Sequence, residues 1–163
     1  MSTAGTSSAT DVDTPIIGAG PAGLFAAYYA GFRGISVAVM DSLPEPGGQI
    51  SAMYPEKHIL DIAGFPAIRG RELVQRLLEQ AEPHDPVYLL GRHAQHLQRN
   101  ENSNRPDTFT VTTSTGTAVH ARSIIVTGGI GKFTPGVLPA AQNYTGGPIG
   151  VDTEFVQNYA KSA

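Results

Sequence analysis

The stretch that decides the fold is Pro15-Ile16-Ile17-Gly18-Ala19-Gly20-Pro21-Ala22-Gly23, followed by an apolar run that ends at Asp41. A short apolar strand leading into three spaced glycines and then a helix is the pattern of a site for the ADP half of a dinucleotide. Gly18 permits a tight turn out of the strand, Gly20 removes a side chain where a pyrophosphate must approach the backbone, and Gly23 lets the helix pack closely on the sheet. The diphosphate would rest on the unpaired N–H groups of the helix that opens at Pro21 and on the positive end of its dipole. Asp41 follows Gly23 by 18 residues, close to the spacing of roughly 20 at which an acid accepts hydrogen bonds from the ribose hydroxyls. A carboxylate there repels a 2′-phosphate, so the reading is FAD or NAD and not NADP.

Strands and helices alternate outward from this unit. The pattern predicts a helix over Pro21–Ala30, apolar almost all round and ended by Gly31 or Gly34, then a strand over Ile35–Met40. Residues 42–68 read as a long irregular loop, a length usually tied to function. Arg71–Ala81 places Leu73, Leu77 and Leu78 on one face of an amphipathic helix. Strands are predicted at Val87–Leu90, Ala94–Arg99, Phe109–Thr113, Ala118–Ala121 and Ser123–Val126, the middle three as an inserted antiparallel meander. The fold class is α/β: a Rossmann-like domain with a parallel sheet, crossover helices and that meander. Pro15 is the discordant residue, because it lacks the N–H that a central strand uses in its ladder.

The run Asp41-Ser42-Leu43-Pro44-Glu45-Pro46-Gly47-Gly48-Gln49-Ile50-Ser51-Ala52-Met53-Tyr54-Pro55-Glu56-Lys57 resembles the flavin-binding lobe of ferredoxin–NADP reductases of the thioredoxin-reductase-like type. The resemblance continues through Asp61-Ile62-Ala63-Gly64-Phe65-Pro66 and Thr127-Gly128-Gly129-Ile130-Gly131-Lys132-Phe133-Thr134-Pro135. It implies that the nucleotide at the glycine motif is FAD. It also implies contacts from Gly48, Gln49 and Gly128, Tyr54 stacked on the isoalloxazine, Phe133 beside the cofactor, and Ala22 and Ala94 touching it. Residues 1–11, rich in Ser, Thr and Ala with little to bury, are expected to be a disordered tail, with 12–148 the FAD-binding domain and 149–163 the start of a connector. The NADPH domain of that family would lie beyond the end of this sequence. Gly129-Ile130-Gly131 is no substitute for it, because Pro135 follows too soon for the helix a pyrophosphate needs.

The implied activity is electron transfer between NADPH and ferredoxin or flavodoxin, with a homodimer as one arrangement. A thioredoxin-reductase-like or diaphorase flavoprotein is the alternative, and a non-catalytic dinucleotide-binding module another. The chain has no cysteine. That rules out the glutathione-reductase-like branch, whose reactive pair would fall between Gly47 and His58, but leaves thioredoxin reductases open. A net charge of −3 without any cluster of Lys and Arg argues against nucleic acid as a partner. No apolar run reaches the roughly 20 residues of a membrane span, and no signal pattern opens the chain, so the expected compartment is the cytoplasm. His93 and His96, at odd spacing in a predicted strand, point to opposite faces and do not suggest zinc.

Overall fold

The computed structural model describes residues 9–101, 103, 106 and 108–129. In chain order its elements are β1 (Ala9–Asp11), β2 (Thr14–Ile17), α1 (Pro21–Phe32), β3 (Val37–Met40), α2 (Gln49–Met53), β4 (His58–Ile59) and β5 (Ile68–Arg69). There follow α3 (Gly70–Ala81) with a 3-10 turn at Glu82–His84, then β6 (Val87–Leu89), β7 (Ala94–Asn100), β8 (Thr108–Thr113), β9 (Ala118–Ala121) and β10 (Ile125–Val126). All described elements lie in one compact unit, Met1–Gly129.

The parallel sheet has the order β10-β2-β3-β6. Its two inner strands are almost entirely buried: Ile16, Val37, Ala38, Val39 and Met40 have essentially no exposure. Such two-sided burial explains why these strands read as continuous apolar runs and not as alternating ones. Pro15 sits in β2 after all, fully buried and in register with Ala38. Thr14 donates its N–H to Ser36 O and Gly18 donates to Met40 O, so the even-numbered residues face β3. The N position of Pro15 therefore faces the β10 side, where pairing begins only at Ile16. The missing donor falls where no ladder bond is needed, which is how a proline enters an inner strand.

The meander β7-β8-β9 is antiparallel, as the alternation predicts. Its inward residues Val111 and Val119 close a core cluster with Ala38, Met40 and Leu89. Each such buried aliphatic side chain contributes about 1.5 to 3 kcal/mol, so the insert is held to the parallel sheet by packing.

Four sequence expectations are corrected. Residues 9–11 are not tail: β1 pairs in parallel with β9, and Val12 extends the contact by donating its N–H to His120 O at 3.1 Å. The segment 42–68 is not wholly irregular, because it holds α2 and β4, and β4 pairs with β5. His93 lies before β7, whose register shifts between Ala94 and His96, so simple strand alternation does not describe the pair. Finally, α1 is not enclosed on all sides. Leu24, Ala27 and Ala30 are buried, whereas Phe25, Tyr29 and Phe32 form a stacked row on its exposed side. The helix also runs through Gly31, which packs on His84, and gives way to a turn at Gly34 with φ +74°.

Asp13 ties the first turn of chain to two distant ones. Its carboxylate accepts from the Ser36 N–H and hydroxyl and pairs with Arg122. The Arg122 guanidinium first, and the Ser36 donors second, hold its carboxyl well below the ordinary carboxylate range. A depressed folded-state pKa adds stability that is present above the unfolded value, near pH 4, and is lost as pH falls toward the folded one. Asp13→Asn is therefore expected to flatten the loss of stability below pH 4. Urea unfolding of both chains between pH 2 and pH 5, a window set by that carboxylate range, measures the slope; equal slopes contradict the assignment.

Candidate dinucleotide site

The three glycines open α1 for three different reasons. Gly18 has φ +113°, and a Cβ there would lie 2.4 Å from the backbone oxygen of Thr127. A Cβ on Gly23 would lie 1.8 Å from the Gly18 carbonyl oxygen and 2.8 Å from Thr127 Oγ1. Gly20 is the opposite case: among the described residues its Cβ would meet nothing within 4 Å. The first and third glycines thus let backbone meet backbone, and the second leaves space.

That space lies at the start of α1, where Gly20 is the N-cap, Pro21 the first helical residue, and no side chain caps the helix. Proline is suited to this position because its missing N–H belongs to a group without an intrahelical partner anyway. The N–H groups of Ala22 and Gly23 likewise have no intrahelical acceptor, and the helix dipole adds partial positive charge, so the end is prepared for an anion. No acidic residue stands in the first turn to compete.

Asp41 lies just beyond β3 and is half-buried. Its Oδ2 accepts the Ala19 N–H at 2.7 Å and its Oδ1 the Leu43 N–H at 2.9 Å. A carboxylate has about four acceptor positions, so capacity for ribose hydroxyls remains alongside these two bonds. Asp41 thus also shapes the glycine turn, a role the spacing alone does not reveal. Asp41→Ala is expected to cost about 1 to 3 kcal/mol of folding stability, because the Ala19 N–H loses its acceptor. Urea unfolding at neutral pH checks this; an unchanged midpoint contradicts it.

The loop after Asp41 folds back on the same turn. Gly47 donates its N–H to Ala19 O at 2.8 Å, and a Cβ on Gly48 would stand 3.1 Å from Gly20 Cα. Gln49, half-buried, follows as the first residue of α2. Tyr54 ends that helix and packs against the cluster of Leu24, Ile50 and Leu73, so its ring is partly sheltered by the core. Ala94 packs against the cluster that holds Met40 and Leu89, two residues beyond Arg92, whose N–H donates to Asp41 O at 2.8 Å. Gly128 is exposed with open space where a Cβ would be. Phe133 lies outside the described residues.

Thr127 is the residue the motif reading passes over. Its Oγ1 lies 2.9 Å from Gly18 O and 3.1 Å from Ile17 O, and its N–H donates to Ile17 O at 2.8 Å. A threonine just past an apolar strand is an ordinary sight, and only the parallel pairing of β10 with β2 shows what it touches.

A concavity of about 420 Å³ lies elsewhere, lined by Leu78, Pro86, Tyr88 and the acids Glu79, Glu82 and Asp85. Its carboxylates would repel a diphosphate, so it is not an alternative nucleotide site. No helix among the described residues is long and apolar enough to cross a membrane.

Residues 16–81 match the model of the NAD(P)-binding Rossmann-like domain. The chain is 57% identical over 136 residues to a ferredoxin–NADP reductase of Saccharopolyspora erythraea, covering 83% of this chain and 40% of that protein. It is 59% identical over 131 residues to one of Frankia alni, covering 80% of this chain and 39% of the relative. Among solved structures it is similar to thioredoxin reductase from Streptococcus pyogenes, at 32% identity with a TM-score of 0.56, over 72% of this chain and 35% of that one. The chain thus spans about two fifths of the length of the curated relatives it matches. By sequence it is similar to part of the ferredoxin–NADP reductases and by fold to part of a thioredoxin reductase, and the Rossmann-like match falls within that part.

Proposed function

We propose that this chain is the FAD-binding lobe of a flavin-dependent oxidoreductase that moves electrons between NADPH and ferredoxin, with flavodoxin as a second acceptor and the cytoplasm as its compartment. The observation that carries the reading is the open position at Gly20. Among the described residues, an uncapped helix start faces space with no atom within 4 Å of the absent Gly20 Cβ, beside a turn whose other glycines are packed to backbone contact. The donor set fits the group: N–H groups for the diphosphate, an acid with acceptor capacity to spare for the ribose, and an aromatic near the second glycine loop for the ring. Asp41 favours FAD over a 2′-phosphorylated nucleotide at this site. In this reading Gly18, Gly20, Pro21, Ala22 and Gly23 hold the diphosphate, while Gly48, Gln49, Tyr54, Ala94, Gly128 and Phe133 border the rest of the cofactor. The isoalloxazine supplies the exchange between two-electron and one-electron chemistry, and the protein supplies position and electrostatics. This reading assigns no catalytic acid, base or nucleophile to the lobe.

The likeness to thioredoxin reductases in fold keeps a disulfide-reducing relative as the second reading. The 57% identity to a ferredoxin–NADP reductase, against 32% to a thioredoxin reductase, favours the first. Incubation with FAD, removal of free ligand and an absorbance spectrum of the chain test the proposal. Flavin bands retained with the protein, and displaced by ADP, are expected. A chain that retains no flavin and binds no ADP in equilibrium titration refutes it.

A further inference from the structure

Two side chains from opposite strands hold the two ends of one peptide unit. The Gly18 carbonyl accepts from the Thr127 hydroxyl at 2.9 Å. The N–H of Ala19, the other end of the same peptide, donates to Asp41 Oδ2 at 2.7 Å. Thr127 follows β10 and Asp41 follows β3, the neighbours on either side of β2. The next carbonyl, that of Ala19, is held in turn by the Gly47 N–H at 2.8 Å. The chain therefore enters the Gly20 position with both preceding carbonyls committed to protein donors.

We propose that Thr127 is a positioning residue for the diphosphate: its hydroxyl, with Asp41, fixes the Gly18–Ala19 peptide so that the helix start is oriented before a nucleotide arrives. This rests on the reading that the glycine turn binds the ADP moiety. The physical need is clear from the residues. Gly18 is at a φ of +113°, where only glycine is comfortable, and a glycine backbone left to itself samples many conformations. Ordering it at the moment of binding would cost affinity, and ordering it in advance removes that cost. Thr127 also bounds the turn by shape. Its atoms lie nearest to the missing Cβ of Gly18, and its Oγ1 lies 2.8 Å from that of Gly23. One residue thus meets the first and third glycines together, and holds the carbonyl that lies between them.

The test compares side chains that differ in the hydroxyl alone. Thr127→Val keeps the branched shape without the donor, Thr127→Ser keeps the donor, and Thr127→Ala serves as the partner of the serine variant if the valine chain does not fold. ADP and adenosine are titrated into each full chain by calorimetry. Loss of the hydroxyl is expected to weaken ADP about tenfold, the effect of leaving one carbonyl unpaired. Serine is expected to restore it, and adenosine, which has no diphosphate, to bind all variants alike. Equal ADP affinity with and without the hydroxyl overturns the proposal. So does a parallel loss of adenosine binding, which would mark a general structural role. A parent chain that binds neither ADP nor FAD fails differently: it overturns the dinucleotide reading, and this inference with it.

Discussion

Gly23→Ala is expected to lower the melting temperature by roughly 10 °C, the effect of about 3 kcal/mol in a domain of this size. The new methyl carbon would stand 1.8 Å from the Gly18 carbonyl oxygen and 2.8 Å from Thr127 Oγ1. Neither neighbour can yield freely. Gly18 is anchored by its N–H bond to Met40 O at 2.7 Å, and its carbonyl by Thr127. Relief requires α1 to slide away from the end of β2, and that separates Leu24 and Ala27, both fully buried, from their packing. Overpacking ordinarily costs about 1 to 3 kcal/mol, and a backbone-to-backbone contact belongs at the upper end of that range. Thermal unfolding followed by circular dichroism measures it. A midpoint within about 2 °C of the parent, inside the shift expected for under 1 kcal/mol, means the close approach of helix and turn is not needed.

Gly20→Ala should behave in the opposite way. Its methyl group meets no atom of the described residues within 4 Å, and Gly20 already has an extended backbone at φ −71°, ψ 179° that alanine adopts without strain. Glycine is somewhat better than alanine at an N-cap, but alanine restricts the unfolded chain more, and these effects of several tenths of a kcal/mol oppose each other. The melting temperature is therefore expected to stay close to that of the parent. The methyl group does occupy the space through which a diphosphate would reach the N–H groups of α1, so ADP affinity should fall by ten- to a hundredfold, about 1.4 to 2.8 kcal/mol. Calorimetric titration beside a thermal melt separates the two glycines. Undiminished ADP binding by a well-folded Gly20→Ala chain would place the ligand elsewhere.

The glycine turn was legible in the sequence because each of its demands is local and only glycine satisfies it. A left-handed φ at Gly18, contact at Gly23 and space at Gly20 are written in residue type and spacing. The amphipathic α3 and the meander were legible for the same kind of reason, since their apolar periods survive from Leu73 to Leu78 and along Phe109–Thr113. What escaped depends on partners far along the chain. Ala9-Thr10-Asp11 has no apolar alternation and becomes a strand only because β9 offers it an edge at residues 118–120. The hairpin of β4 and β5 has two residues a side, too few to show a period. The Thr127 hydroxyl acts on Gly18 across 109 positions of sequence, and no local pattern carries that information. The place of Pro15 in the first strand depends on which neighbour its missing donor faces, and only the order of the sheet shows that.

In the proposed function the start of α1 and the turn before it receive the ADP half of a dinucleotide. Titration of ADP into isotope-labelled chain, followed through backbone amide resonances, tests it most directly. Saturable shifts are expected, concentrated at Ala19, Gly20, Ala22, Gly23 and Asp41, with those of the meander strand β7 nearly unmoved. Saturable shifts confined to other residues, such as the acidic concavity around Tyr88, or no shifts at any concentration, would contradict it.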